Sequence, residues 1–145
     1  MKFSTMGHYG LRSLIDVAMH ECLGPVTLND ISQRQSISVK YLWQVIAPLK
    51  TAGFLSVTRG AKGGYMLARP PREINMLDVL TTLEGPISVL QCMEDDPVCH
   101  RVKTCAAHTL WTEVNEAIEK TLSATTLDTL IRKQKLALEA QNAIV

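Results

Sequence analysis

Residues 92–108, CMEDDPVCHRVKTCAAH, hold three of the chain's four cysteines and two of its four histidines. Thiolate and imidazole are metal ligands, so the first question is what Cys92, Cys99, Cys105 and His108 could hold together. Six residues separate Cys92 from Cys99, five separate Cys99 from Cys105, and His108 follows Cys105 after two. Zinc knuckles favour close CxxC pairs, which this segment lacks, although three cysteines and one histidine are a legitimate tetrahedral zinc set. Long, unequal gaps suit a loop wrapped around a larger object such as an iron–sulfur cluster, whose irons take thiolates and sometimes imidazole. Cys105 and His108 stand at i and i+3 at the start of a predicted helix, so both can point to one side. The positive end of that helix favours an anionic group. Three readings stay open from the residues alone: an iron–sulfur cluster, zinc, and thiols that hold nothing. His100 follows Cys99 directly and is awkwardly placed to bind at the same time. Glu94, Asp95 and Asp96 read as a solvated stretch that would turn away from DNA. Cys22, far from the trio, reads as a packing residue.

The elements that must position these residues follow from periodicity and caps. Apolar positions Leu11, Leu14, Ile15, Ala18 and Met19 recur at helical spacing and predict a helix over 4–22. Thr27 with Asp30 forms a capping-box pattern that opens a short second helix. Ser36 and Ile37 turn the chain, and Ser38 caps a third helix running to about Ala52, where Gly53 stops it. Pro48 lies inside that helix and is expected to bend its last turn. Leu42, Val45, Ile46 and Leu49 should face inward, with Lys40, Trp43, Gln44 and Ala47 opposite. Two strands, 54–59 and 65–70, are joined by GAKGG, whose glycines allow a tight hairpin. Asn75 caps a helix over 76–83, the cysteine segment occupies about 87–104, and a long helix runs from Thr104 to Leu122. A last helix spans about 126–141. The fold class is mainly α with a small β-hairpin wing, and the units are 1–84, 85–103 and 104–145.

Charge divides the chain. Residues 1–72 carry nine Lys/Arg and three Asp/Glu, hence +6, whereas 73–145 carry six and eleven, hence −5. A basic half suggests a polyanionic partner. Two short helices, a tight turn and a hairpin make a winged helix-turn-helix, whose second helix enters the major groove by its N-terminal end. That end presents Ser38, Lys40, Tyr41, Trp43 and Gln44. Gln can pair with the adenine edge, Lys with guanine or phosphate, and Ser and Tyr with phosphate oxygens. Arg59 and Lys62 sit at the hairpin tip, where an arginine can enter a narrow minor groove. Trp43 is open to two readings: exposed against a thymine methyl or the sugar backbone, or tucked against the first helix. A solvated basic loop on a protein-interaction module is the bland rival. No Ser/His/Asp set, nucleotide loop or paired carboxylates argue for an enzyme. No apolar run reaches the roughly 18 residues of a membrane span. The N-terminus lacks a signal-peptide pattern, so the expectation is a cytoplasmic protein with reduced cysteines.

The stretch LNDISQRQSISVKYLWQVIAPLKTAGFLSVTRGAKGGYMLARPPREI resembles the DNA-binding half of the IscR/NsrR family, Rrf-type winged-helix bacterial transcription regulators. The marks are the IS…YL.Q….L..AG pattern of the reading helix and the RG..GGY.L wing. CAAHTLW is similar to the cluster-ligand region of IscR, the iron–sulfur cluster regulator, so the resemblance spans nearly the whole chain. It implies a homodimer on a palindromic operator in double-stranded DNA, with the 104–122 helix crossing its mate as a dimerisation helix. It also implies a [2Fe–2S] cluster on Cys92, Cys99, Cys105 and His108. NsrR-like relatives imply instead a [4Fe–4S] cluster on the three cysteines and an acid near the partner's N-terminus, where this chain has His8. Relatives often carry an acidic residue where this chain has Trp43, a position that influences base choice. Some members of the family lack the cysteines and respond to a protein partner.

Overall fold

The computed structural model describes residues 2–90 and 100–144; Cys92, Glu94, Asp95, Asp96 and Cys99 lie outside them. Ser4 opens α1 (Thr5–His20) by accepting a hydrogen bond from the Gly7 N–H. The expected capping box then forms. Thr27 Oγ1 accepts from the Asp30 N–H at 3.1 Å and Asp30 Oδ2 accepts from the Thr27 N–H at 3.0 Å, starting α2 (Leu28–Gln35). Ser36 stops α2 in the left-handed region at φ 56°, a conformation non-glycine residues adopt mostly as single turn residues. Ser38 caps α3 (Val39–Thr51) through the Tyr41 N–H. α3 runs through Pro48 and closes in a Schellman motif: Phe54 N–H donates to Leu49 O and Gly53 N–H to Lys50 O, both at 3.0 Å. Gly53 supplies the positive φ this closure requires, 82°.

The wing is an antiparallel pair, β1 (Leu55–Thr58) and β2 (Gly64–Leu67), with Val57 opposite Tyr65. Both strands are shorter than 54–59 and 65–70. A further edge was not expected. Val26 exchanges two hydrogen bonds with Tyr65, at 2.9 and 2.7 Å, and so ties the loop before α2 to the wing. Gly64 permits this approach, because a Cβ there would stand 2.7 Å from the Val26 backbone. After a short turn at Pro71–Glu73, Asn75 caps α4 (Met76–Glu84). Then come a turn at Val102–Thr104, α5 (Ala106–Ala124) and α6 (Leu127–Ile144).

Leu14, Ile31, Leu42, Leu49, Ile74 and Leu127 are fully buried in one core. α6 thus contributes to the same core as α1–α4, with Ile131 beside Leu127. Two backbone bonds fix its start: Leu127 N–H donates to Ile74 O at 2.8 Å and Met76 N–H to Thr125 O at 2.9 Å. Helix limits differ from expectation by one to three residues. α5 begins at Ala106 because Cys105 is extended (φ −96°, ψ 111°) and serves as its N-cap. α6 continues to Ile144. α1 stops at His20, and Glu21–Leu23 tighten into a 3₁₀ turn. That turn carries Cys22 off the buried stripe of α1; it is exposed beside Leu23, not packed as expected. Among the described residues no helix is long and apolar enough to cross a membrane.

Candidate nucleic-acid interface and metal ligands

α3 splits into two faces as its spacing requires. Leu42, Val45, Ile46 and Leu49 are buried, while Lys40, Trp43, Gln44 and Ala47 are exposed. Trp43 is 60% exposed and lines an open cleft of about 440 Å³ between α3 and the wing. Of its two expected placements, the exposed one is found. Arg59 sits in the same cleft wall, and Lys62 is exposed on the turn closed by the Gly63 N–H to Gly60 O bond. Tyr41 differs from its exposed neighbours: it is half-buried, with its ring edge-on to Tyr9 at 5.7 Å. Ser38 is exposed, but its hydroxyl holds the α3 cap. Pro48 has no N–H, so the Gln44 carbonyl lacks its usual helical donor. Sequence reasoning missed Asn29. It is exposed in the first turn of α2 and faces the same cleft; the signal was the free amides of a capped helix start next to a basic wing.

Of the four expected metal ligands, the structure describes two. Cys105 is half-buried at the N-cap of α5 and makes no side-chain capping bond there. His108 is half-buried one turn on, on the same side of the helix. A thiol and an imidazole on one side of the helix start are a ligand pair that fits a thiolate- and imidazole-binding centre. Cys92 and Cys99 fall outside the described residues, and among the described residues no three of His, Cys, Asp and Glu gather as a metal site. His8 is exposed on α1 with its ring 5.8 Å from Tyr9, and His100 is exposed. The chain entering the cysteine segment is anchored twice. Glu84 Oε1 accepts from the Ser4 N–H at 2.8 Å and from its hydroxyl at 2.6 Å, and Asn115 Oδ1 accepts from the Val89 N–H at 3.1 Å.

Residues 3–133 match the Rrf2 family, described as iron-dependent transcriptional regulators. The chain belongs to the Rrf2 family. Protein rrf2 of Nitratidesulfovibrio vulgaris is 42% identical over 136 residues, which cover 94% of this chain and 91% of that protein. The structure of CymR (YrzC), the global cysteine regulator of B. subtilis, superposes with a TM-score of 0.78 at 37% identity, covering 92% of this chain and 98% of that one. The structure of T. potens IscR gives 0.77 at 37% identity, covering 94% and 90%. This Rrf2 protein is therefore a DNA-binding winged-helix transcription regulator and not an enzyme, as its sequence suggested. Similarity to the CymR and IscR structures is nearly equal, so it assigns the role and not the sensed signal.

Behind the DNA-facing side, the Rrf2 head carries a charged clamp. Asp16 is 2% exposed. Its carboxylate accepts from Arg34 Nε at 3.0 and 3.2 Å, from Arg34 Nη2 at 2.7 Å and from Gln35 Nε2 at 2.9 Å. Arg12 in turn donates to Gln35 Oε1 and, at 2.7 Å, to the Gln35 carbonyl, closing the end of α2. The Asp16 carboxylate raises the Arg34 pKa. At the other end of α2, hydrogen bonds from the Thr27 backbone and hydroxyl hold Asp30 below its ordinary value of 3.8.

Proposed function

We propose that the chain is a homodimeric transcription regulator whose grip on a palindromic operator is set by an iron–sulfur cluster at Cys92, Cys99, Cys105 and His108. One observation carries this reading. α5 bears Cys105 and His108 at its first turn, and along its length Leu110, Trp111, Val114, Ile118 and Leu122 line a face of which no residue is buried. A helix whose apolar stripe is uncovered in one chain suits a seam with a second copy. Each head (residues 1–84) then lays α3 in a major groove, with Gln44 and Lys40 on base edges and Trp43 against a thymine methyl or the sugar backbone. Tyr41 and Ser38 stay near phosphate, Arg59 enters the adjacent minor groove, and Lys62 meets phosphate. The mate repeats this one or more helical turns away, about 34 Å per turn.

When bound, the cluster supplies a redox-active, anionic centre on the 85–103 segment. The protein's own part is mechanical. Glu84, just before that segment, is bonded to Ser4 at the start of α1, and Val89, near the segment's beginning, is bonded to Asn115 of α5, while its far end runs into α5 through Cys105. A change in the segment therefore acts on both the head and the dimer helix. A coupling of about 1–3 kcal/mol would change operator occupancy roughly 5- to 150-fold. Three cysteines and one histidine favour [2Fe–2S]; [4Fe–4S] is reached if His8 of a second copy replaces His108.

Anaerobic reconstitution with iron and sulfide tests this. The expected product is brown with visible charge-transfer bands, and Cys105→Ala and His108→Ala each weaken them. A colourless protein with one zinc per chain would overturn the cofactor. Gel shifts on genomic fragments should lose affinity steeply with salt; salt-independent capture of a protein instead would favour the interaction module.

A further inference from the structure

The clamp that closes α2 borders a cavity of about 410 Å³ between α1, α2 and α6, within the size range of small-molecule sites. Its walls are of two kinds. Ile15, Met19 and Leu138 give an apolar side, while Arg12, Asp16 and Arg34 give a charged side. Asp16 is saturated by the four bonds described above. The guanidiniums are not: among the described residues, Arg12 and Arg34 donate only through Nε and Nη2, leaving both Nη1 groups without a hydrogen bond. His20 uses its Nδ1 on the Asp16 carbonyl at 2.8 Å. Two guanidiniums against one carboxylate leave the charged wall one positive charge in excess, which suits a single carboxylate.

We infer that this cavity is an effector site for a small organic monocarboxylate with a short apolar body. The carboxylate takes the unused Nη1 donors of Arg12 and Arg34, and the body lies against Met19 and Leu138. The location gives the ligand a consequence. Both arginines act on the last turn of α2, and Ser38, which caps the reading helix, follows Gln35 after two residues. A ligand that braces or pulls this turn acts on the placement of α3. By linkage, operator DNA then alters the ligand's affinity by the same factor.

The test uses the full-length regulator labelled with ¹³C-methyl methionine. The probes are 3-phenylpropionate and N-acetyl-leucine, each beside its neutral amide. The acids should shift the Met19 methyl resonance saturably below millimolar concentration, and the amides should bind at least roughly tenfold more weakly, the value of one charge-assisted contact. Equal binding of acid and amide, or no movement of Met19, would overturn the site. Leu138→Trp narrows the cavity from the half-exposed outer part of α6 and should abolish the shift with the melting temperature retained. The acid–amide contrast on the unmodified chain decides the matter even if that variant folds poorly. Saturating acid should change operator affinity by about fivefold or more; binding with no such change would overturn the effector role. The NMR readout needs neither DNA nor cluster, so its failure is separable from failure of the proposed function.

Discussion

The reading helix α3 and α5 each carry an apolar stripe at helical spacing and end in opposite states. In the head, α3 alone buries four large residues, and the core around them includes Leu14, Ile31 and Ile74 at 0% exposure. In α5, nineteen residues long, none is buried, and Leu110 and Trp111 stand 53% and 36% exposed. Both elements show helical periodicity, so periodicity alone does not say where a partner comes from. The head finds its partner surfaces within its own chain, whereas among the described residues the α5 stripe is only partly covered, with Leu122 at its end packed against the core. The proposed homodimer rests on this contrast.

The largest expected effect breaks the comparison on the α5 side. Ile118→Glu should convert a dimer to a monomer in sedimentation and lower operator affinity by about a thousandfold or more, the step from specific to non-specific binding, while the melting temperature falls little. A monomeric native chain would remove the contrast. Next, Leu42→Ala should cost about 2–5 kcal/mol in urea unfolding, since its 0% exposed side chain leaves a void in the head; a similar loss from Leu110→Ala in the Ile118→Glu background would mean α5 is packed within its own chain after all. Gln44→Ala should relax discrimination at one base position by about 1–3 kcal/mol, whereas Lys62→Ala should weaken all sequences alike and reduce the salt slope by about one. The smallest effect is in the cap of α2. Thr27→Ala should cost about 0.5–2 kcal/mol. Asp30 is held below 3.8 in the fold, so its contribution is complete above that pH and is lost as pH falls through the lower folded value. An acid titration of helix content should therefore show a limb below about pH 4 that Asp30→Asn removes.

Much of the head was legible because caps are local. Thr27–Asp30, Ser38 and Asn75 each advertise a helix start within three residues, and each is where the sequence placed it. The buried face of α3 and the exposed Trp43 also follow from spacing. What escaped was non-local. The Val26–Tyr65 pairing joins residues far apart in the chain, and only the bare Gly64 hints at it. The Asp16–Arg34–Gln35–Arg12 clamp depends on how α1 crosses α2, which no short pattern encodes. Cys22 was misread because one 3₁₀ turn rotated it to the surface. At the candidate metal ligands, residue type carried nearly all the information: Cys105 and His108 lie together at the start of α5, as i and i+3 require, and the structure adds the N-cap role of Cys105.

The paired bonds between Ile74 and Leu127 and between Met76 and Thr125 have an evolutionary consequence. These bonds join the start of α4, which packs in the head, to the start of α6, so the chain between α4 and α6 is an excursion with a latched base. The entropy of closing such an excursion grows only slowly with its length. Lineages can thus rewrite, lengthen or empty the detour while the DNA reader beneath it folds unchanged, and one architecture can be fitted with different detectors.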